Sequence, residues 1–230
     1  MAERRYRRAR RERDGGELGV LMVTNAVMPD QLGGLQRYVR ELAGAIVARG
    51  VPVTVLAKRV VPESPRYERA DDGVEIRRFD VPERGHPLYA AAYPLASLRA
   101  VARTIRATHR LVHVHYPLQG VPAAVLGVPY LHTFHAPIHR ELLPEHQDRY
   151  ALPSALRRPL VGVARMGERL VAQRARTSIV LTTYMRDQLA GLSPAAAERA
   201  VMIPAGIDGD HFSPGPGIEH AAAQNGGPLL

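Results

Sequence analysis

The sequence has no cysteine and no tryptophan, and these two absences narrow the classes of protein to which it can belong. Without cysteine, the chain can form no disulfide framework, no thiolate metal site and no cysteine nucleophile. Aromatic residues make up only 5% of the chain, so it lacks the stacking platforms of nucleic-acid binders, and we expect no nucleic-acid partner. No apolar run approaches the roughly 20 residues of a membrane-spanning helix.

Lysine is almost absent as well, since Lys58 is the only one and arginine supplies nearly all of the positive charge. Residues 1–17 hold seven arginines but no core-forming pattern, which predicts a disordered basic leader. The leader lacks the apolar segment of a secretory signal, so we interpret it as a solvated tail or a misassigned start, with an arm for nucleic acid or anionic lipid as the alternative. We expect a cytoplasmic protein, or one attached peripherally to the inner face of the membrane.

After the leader, short apolar strands alternate with amphipathic helices. This alternation with short connections predicts a Rossmann-like α/β domain over 18–212, with a doubly wound parallel sheet covered on both faces. Residues 213–230 are rich in Pro, Gly and Ala, and predict an interdomain linker followed by the truncated start of a second domain. The predicted strands are 20–23, 51–57, 73–79, 111–115, 128–134, 177–183 and 200–204, and the predicted helices are 35–48, 94–108, 123–126, 159–174 and 185–192.

The first strand leads into a loop that ends in Gly33-Gly34, and a helix follows at once. Two glycines let the backbone approach a phosphate closely, and the free N–H groups at the start of a helix point towards it. The order therefore predicts an anion site, while a plain tight turn is the alternative. One face of the helix should pack on the sheet, because its apolar residues recur with a helical period: Leu35, Val39, Leu42 and Ile46.

Seven of the ten histidines lie between His109 and His146. His115 ends one predicted strand and His135 lies just beyond the end of the next, where ligands bind in parallel α/β sheets. Three interpretations compete. The His-x-His spacing of His113 and His115 suits a metal site, but no carboxylate stands at a matching spacing, and we expect no metal. Recognition of a sugar or phosphate oxygen suits His115 and His135, whereas hydrogen-bonded structural histidines would account for His109, His132 and His146.

A second candidate surface is basic. One predicted helix carries arginines at i, i+4, i+7 and i+11: Arg99, Arg103, Arg106 and Arg110. We expect this stripe to lie opposite the inward-facing residues Leu95, Leu98, Ala102 and Ile105. A basic amphipathic helix is typical of binding to an anionic membrane surface, and a solvated arginine face is the alternative.

Several segments, in their order, resemble the N-terminal domain of a retaining family 4 glycosyltransferase of the GT-B fold. The group includes the phosphatidylinositol mannosyltransferases. The resemblance covers about residues 19–215, and it depends on the ordered set rather than on any one motif. The segments are the strand, Gly-Gly and helix of the opening, LVHVHYP, VPYLHTFHAP, SIVLTTYMRDQL and VMIPAGIDGDHFSPG.

The resemblance implies roles for particular residues. Gly33 and Gly34 would approach the diphosphate of a nucleotide-sugar donor, and His135 would lie beside the transferred sugar as the catalytic residue. His115 and Thr133 would line the cleft. The substrates would be a nucleotide-diphosphate sugar and an acceptor that the sequence does not identify, and no metal or other cofactor would be needed. Ala205 departs from the family motif, which has asparagine there.

The resemblance also implies that the donor-binding domain is missing from this chain. We therefore expect the acceptor-binding half of a two-domain enzyme, inactive by itself, with a second chain as one source of the other half. The alternatives are a non-catalytic Rossmann-type nucleotide-binding module and a module that binds a membrane surface. An NAD-binding module is disfavoured, because G-x-G-x-x-G is absent and Lys58 and Arg59 follow the second strand where an acidic residue is expected.

Overall fold

The computed structural model describes residues 19–81, 89–106, 111–141 and 154–206. The predicted leader, 1–17, and the predicted linker, 213–230, lie outside these ranges. In the described part of the chain, eight strands form one sheet in the order β3-β4-β2-β1-β5-β6-β7-β8. The strands are β1 (Val20–Val23), β2 (Val53–Lys58), β3 (Tyr67–Arg69), β4 (Glu75–Phe79), β5 (Leu111–Val114), β6 (Tyr130–Phe134), β7 (Thr177–Val180) and β8 (Val201–Met202).

The sheet is parallel, as predicted, apart from the edge strand β3, which pairs antiparallel with β4. The sequence pattern does not predict β3. This strand has only three residues, and Tyr67 at its start is exposed, so it lacks the alternation of apolar and polar residues that marks a half-buried strand.

The helices are α1 (Gly34–Val47), α2 (Tyr89–Arg106), α3 (Pro117–Leu126), α4 (Ile138–Glu141), α5 (Ser154–Arg174), α6 (Thr183–Leu192) and α7 (Pro194–Glu198). Two helices begin earlier than predicted. Because proline favours the first helical position, the sequence predicts that they start at Pro94 and Pro159. Both prolines instead lie inside helices that begin five residues earlier. Helix α3 also begins before its predicted start, with Pro117 in its first turn.

Helices cover both faces of the sheet. On one face α1 packs over β1, β2 and β4, through buried residues that include Val39, Ala43, Met22 and Val55. On the other face, α2, α3 and α5 bury a second cluster with Val101, Ala123, Val171, Val23 and Val114. Helices α6 and α7 extend that cover to β6 and β7 around Leu189, Phe134 and Val180. The predicted doubly wound architecture is therefore confirmed.

The inward face of α2 differs from the prediction. Leu95, which we expected to face inward, is 46% exposed, whereas Ser97, Val101 and Ile105 are buried. The prediction ranked positions by apolarity, but α2 packs against α3, and a close contact between helices accommodates a small residue such as Ser97.

The chain order creates a switch point between β1 and β5. From β1 the chain passes through α1 to β2 on one side, and it returns through α2 to β5 on the other side of β1. The loops after β1 and β5 therefore separate at the carboxyl edge of the sheet, which is where ligands bind in this class of fold. Among the helices that the structure describes, none has the length and apolarity needed to cross a membrane.

Candidate functional site

The carboxyl edge of the sheet brings the predicted site residues to one place. His115 follows β5 directly, His135 follows β6 directly, and Gly33 immediately precedes α1. Tyr38, one helical turn after Gly34, connects them. Its ring lies edge-on to the ring of His135, with centroids 5.1 Å apart, and 6.0 Å from the ring of His115.

A layer of hydrogen-bonded side chains supports this group from inside the domain. His113 Nε2 lies 2.8 Å from Thr133 Oγ1, and Thr133 also shares a hydrogen bond with Tyr38. His115 Nδ1 lies 3.4 Å from His135 Nε2, with donor and acceptor set by the tautomers. His113, His115 and Thr133 are buried, and His135 is only partly buried. His135 is therefore the imidazole of this group that meets solvent.

Burial keeps these histidines uncharged near neutral pH. It lowers the pKa of His135 from 6.5 to about 4. Burial, with the neighbouring His135 as a further cause, lowers the pKa of His113 to about 4. The pKa of His115 is also lowered well below 6.5, by burial first and by its histidine neighbours second. A neutral imidazole donates a hydrogen bond at one nitrogen and accepts one at the other, which suits contact with a hydroxyl group.

Burial raises the pKa of the Tyr38 phenol, although its hydrogen bond with Thr133 acts in the opposite direction. Tyr38 therefore stays protonated near neutral pH, and its ring and hydroxyl join α1 to the ends of β5 and β6. Neither Tyr38 nor the role of His113 was predicted. Helical spacing could have pointed to Tyr38, because it lies on the inward side of α1 between Leu35 and Leu42.

His132 is not hydrogen-bonded to this group. Its ring is buried and contacts Phe134, with centroids 6.2 Å apart, and burial lowers its pKa to about 3. The expected hydrogen bonds are missing, because neither ring nitrogen has a partner among the residues that the structure describes. A structural role through packing remains, since alternate residues of β6 point to opposite faces of the sheet and His132 lies opposite Thr133. His109 and His146 lie outside the described residues.

The start of α1 has the properties expected of an anion site. Gly33 and Gly34 are exposed, and within the described chain no side chain caps the helix and no acidic residue lies in its first turn. A Cβ atom on Gly34 would meet no described atom within 4 Å, whereas one on Gly33 would overlap Oε1 of Gln36. The backbone N–H groups of the first turn are thus accessible to a ligand.

A buried ion pair holds the loop before these glycines. Arg78 of β4 donates from Nε to Asp30 Oδ2 at 2.5 Å and from its terminal nitrogen to Asp30 Oδ1 at 3.0 Å. Both side chains are almost fully buried, and Ser64 also donates to Asp30. Burial acts to lower the pKa of Arg78, but the bonds to Asp30 and Glu68 outweigh it and raise that pKa. This contact joins residues 48 positions apart, so no local pattern signals it.

The predicted basic stripe is described only in part. Arg99 and Arg103 are exposed on α2, and no described acidic side chain forms an ion pair with either of them. The side chain of Arg106 and the whole of Arg110 lie outside the described part of the chain. In the ranges described, no three His, Asp or Glu side chains are grouped as a metal site would require.

A known protein family matches the part of the chain that contains these site residues. A family profile described as "Glycosyl transferase 4-like domain" matches residues 33–206, from Gly33 to the last described residue. The chain belongs to this glycosyltransferase family. The matched range contains Gly33, Gly34, His115, Thr133 and His135, and the family assignment makes the chain a glycosyltransferase module.

Two curated relatives carry the same name. A "D-inositol 3-phosphate glycosyltransferase" of Kineococcus radiotolerans is 31% identical over 208 residues, which cover 85% of this chain and 46% of the relative. The protein of the same name from Actinosynnema mirum is 30% identical over 80% of this chain and 44% of its own length. The chain thus spans less than half the length of these relatives.

Solved structures show the same fold. Sucrose-phosphate synthase from Thermosynechococcus elongatus superposes with a TM-score of 0.63 at 20% identity, over 92% of this chain and 53% of that protein. WaaG, a glycosyltransferase involved in lipopolysaccharide biosynthesis, gives a TM-score of 0.53 at 16% identity, over 90% of this chain and 51% of that one. The glycosyltransferase module therefore has the α/β, Rossmann-like architecture of one half of the GT-B fold.

Proposed function

We propose that this chain is the acceptor-side half of a retaining glycosyltransferase, which transfers a sugar from a nucleotide-diphosphate sugar to an acceptor. The observation that carries the proposal is the position of Tyr38. Its ring contacts His115 and His135, and it lies one turn after Gly34. Helix α1 therefore carries both the backbone N–H groups that could bind a phosphate, at its start, and the ring that contacts the neutral imidazole of His135 at the carboxyl edge of the sheet.

The two parts would act on different groups of the donor. The backbone N–H groups at Gly33 and Gly34 would bind the diphosphate and stabilise the negative charge that develops as it leaves. His135 is partly exposed and uncharged near neutral pH, so it would form a hydrogen bond with the transferred sugar. Because this stabilisation comes from backbone and side-chain donors, we propose that the reaction needs no metal.

The names of similar proteins indicate which substrates to test first. The curated relatives are named for D-inositol 3-phosphate, and Anabaena HepE, which superposes with a TM-score of 0.54 at 17% identity, has been solved in complex with UDP and glucose. We propose a nucleotide sugar as donor and take an inositol phosphate as the first acceptor to try. The donor-binding half would come from further sequence or from a second chain, and this half alone would be inactive.

The test joins this chain to the part of the Kineococcus radiotolerans relative that follows the matched region. Transfer from a panel of nucleotide sugars to D-inositol 3-phosphate is measured with the joined protein and with this chain alone. We expect retention of anomeric configuration, activity unchanged by a chelator, and no transfer by the chain alone. His135→Ala should lower transfer by about 100-fold or more while leaving the melting temperature unchanged.

The matched control is Gln173→Ala, at an exposed position on α5, which should retain full transfer. Full activity of His135→Ala would exclude the proposed role of His135. Nucleotide binding by this chain alone, together with no transfer by a joined protein that folds, would instead favour a non-catalytic nucleotide-binding module.

A membrane-surface role is the second candidate, supported by the exposure of Leu95. Leu95, Arg99 and Arg103 recur every four residues on α2, so an exposed apolar residue lies on the same face as two exposed arginines. This combination is typical of helices at an anionic membrane surface, which here would be the cytoplasmic face.

Co-sedimentation with phosphatidylglycerol vesicles tests this second candidate. The Arg99→Ala/Arg103→Ala variant should lose most of its binding, while Arg158→Ala/Arg169→Ala on α5 should retain it. Vesicles of phosphatidylcholine alone should not bind the chain. Equal binding by the two double variants would exclude α2 as the membrane-binding surface.

A further inference from the structure

The position of His135 depends on a very short connection. β6 ends at Phe134, and three residues, 135–137, lead to α4, which begins at Ile138. β6 is held on both sides, by β5 and by β7, so the first end of the connection is fixed by the sheet. The other end is fixed by α4, a single turn of four residues that is too short to be stable on its own.

Glu168, on the long helix α5, holds that second end. Its carboxylate is 3% exposed. One oxygen accepts a hydrogen bond of 2.6 Å from the backbone N–H of His139, and the other lies 2.6 Å from Nδ1 of the same residue. The backbone N–H of Ile138 also contributes a hydrogen bond. A carboxylate at the start of a helix binds the N–H groups that the helix itself leaves unpaired.

The same helix is fixed to the opposite end of β6. The Tyr130 hydroxyl donates a 2.6 Å hydrogen bond to the backbone oxygen of Val171, three residues after Glu168. Ala172 packs in a buried cluster with Phe134, the last residue of β6. Helix α5 therefore contacts the beginning, the end and the continuation of this strand, so Glu168 acts from a rigid support.

We propose that Glu168 is a positioning residue for His135. Its carboxylate fixes the start of α4, and through the three-residue connection it holds the His135 imidazole against His115 and Tyr38. Glu168 has no contact with the reacting groups in this scheme. That holding His135 in place matters for catalysis depends on the proposed function. The effect of Glu168 on the position of His135 can be measured on the chain without any substrate.

The test compares Glu168→Ala and Glu168→Gln with the wild-type chain by nuclear magnetic resonance. It follows the titration of the His135 imidazole and hydrogen exchange of the amides of Ile138 and His139. In Glu168→Ala, the freed connection should expose the ring and raise the pKa of His135 from about 4 towards 6.5. Loss of a nearby negative charge alone would lower that pKa, so the direction separates positioning from simple electrostatics.

Exchange at Ile138 and His139 should become at least about tenfold faster in Glu168→Ala, because their buried charged acceptor is lost. Glu168→Gln retains one carbonyl oxygen, a weaker acceptor than a carboxylate, so both effects should lie between those of wild type and alanine. The control is Glu198→Gln, at an exposed carboxylate on α7, which should change neither measurement.

Unchanged exchange and an unchanged His135 titration in Glu168→Ala would overturn the inference. If that variant fails to fold, Glu168→Gln decides: faster exchange at Ile138 and His139 with a raised His135 pKa supports the inference, and wild-type values of both contradict it. Neither measurement involves sugar transfer. A fixed but non-catalytic His135 would therefore exclude the catalytic role proposed for His135 and leave the positioning role intact.

Discussion

Single residues at the start of α1 differ in how closely the protein surrounds them. Gly34 has open space where a side chain would project, while Gly33 faces Gln36. We predict that Gly34→Ala folds normally and is more stable by about 0.5–1 kcal/mol, because alanine loses less entropy in a helix. In the joined protein its methyl group would occupy the space proposed for the diphosphate, so the donor KM should rise at least about tenfold.

Gly162→Ala provides the matched control for this substitution. Gly162 is also helical, exposed and without neighbours within 4 Å among the described atoms, so it should gain similar stability with no change in donor KM. Denaturant unfolding and steady-state kinetics on both variants make the comparison. Wild-type kinetics for Gly34→Ala would show that the donor does not approach this backbone.

Individual histidines illustrate what a local pattern can and cannot predict. The spacing predicted that His113 and His115 share a face of the sheet, and their ring centroids are indeed 4.0 Å apart. The spacing could not predict that His113 is hydrogen-bonded to Thr133, because Thr133 belongs to the neighbouring strand. Burial of His132 without a described hydrogen-bond partner was not predictable either, since the packing of α5 to α7 decides it.

Between elements, α3 approaches the sheet very closely at Gly120. A Cβ atom there would lie 2.7 Å from Val114 Cγ1 and 2.9 Å from Val171 Cγ1, and both valines are buried. We predict that Gly120→Ala lowers the free energy of unfolding by about 1–3 kcal/mol, because the strand and α5 would have to shift. Urea unfolding measures the change.

Gly191→Ala on α6 is the comparison for Gly120, since no described atom lies within 4 Å of the added carbon. It should leave stability unchanged or raise it slightly. If both glycine substitutions behave alike, the close approach of α3 to the sheet is not a determinant of stability.

The loop that carries the glycines is tied to β4 by Asp30 and Arg78. We predict that Asp30→Asn costs about 3–5 kcal/mol of unfolding free energy, because it leaves a buried guanidinium without its main counter-charge. The exposed pair of Arg37 and Glu41 provides the contrast, and Glu41→Gln should cost less than about 1 kcal/mol. Similar losses for both variants in urea unfolding would contradict the assignment of Asp30 as an anchor.

For the whole molecule, the buried histidines predict sensitivity to acid. The pKa values of His113 and His135 fall to about 4 and that of His132 to about 3, all below the ordinary 6.5. Between these values and 6.5, the unfolded chain binds more protons than the folded chain, so stability rises with pH. The contribution of the neutral histidines to the free energy of unfolding is fully present above about pH 6.5. As pH falls towards 4, the free energy of unfolding decreases by about 1.4 kcal/mol per pH unit for each histidine.

Unfolding by urea between pH 5 and pH 7.5 measures this dependence. Below pH 6.5, the slope of the unfolding free energy against pH should be smaller in His135→Asn, by the amount that corresponds to about one proton. This substitution removes one titrating group without a large change in volume. A slope that is flat from pH 5 to 7.5 would mean that these imidazoles are accessible to protons in the folded chain.

Much of the whole architecture was predictable from the sequence. The parallel sheet followed from strand–helix alternation, and every strand of the described sheet was predicted except the exposed edge strand β3. Helix boundaries are predicted less accurately, since the sequence predicts helix starts at Pro94 and Pro159, which lie inside α2 and α5. Local rules describe what proline favours, whereas packing of the helix on the sheet decides how far the helix extends.

By itself, the sequence determined the periodicities, the placement of Gly33 and Gly34 at the start of a helix, and the placement of His135 at the end of a strand, because these depend on neighbours along the chain. Only the tertiary structure decided which distant residues meet there. Tyr38 connects the start of α1 with His135, Arg78 binds Asp30, and Glu168 binds the start of α4. Such contacts depend on the register of strands and the packing of helices, and burial of the polar groups then sets their pKa values and their need for partners.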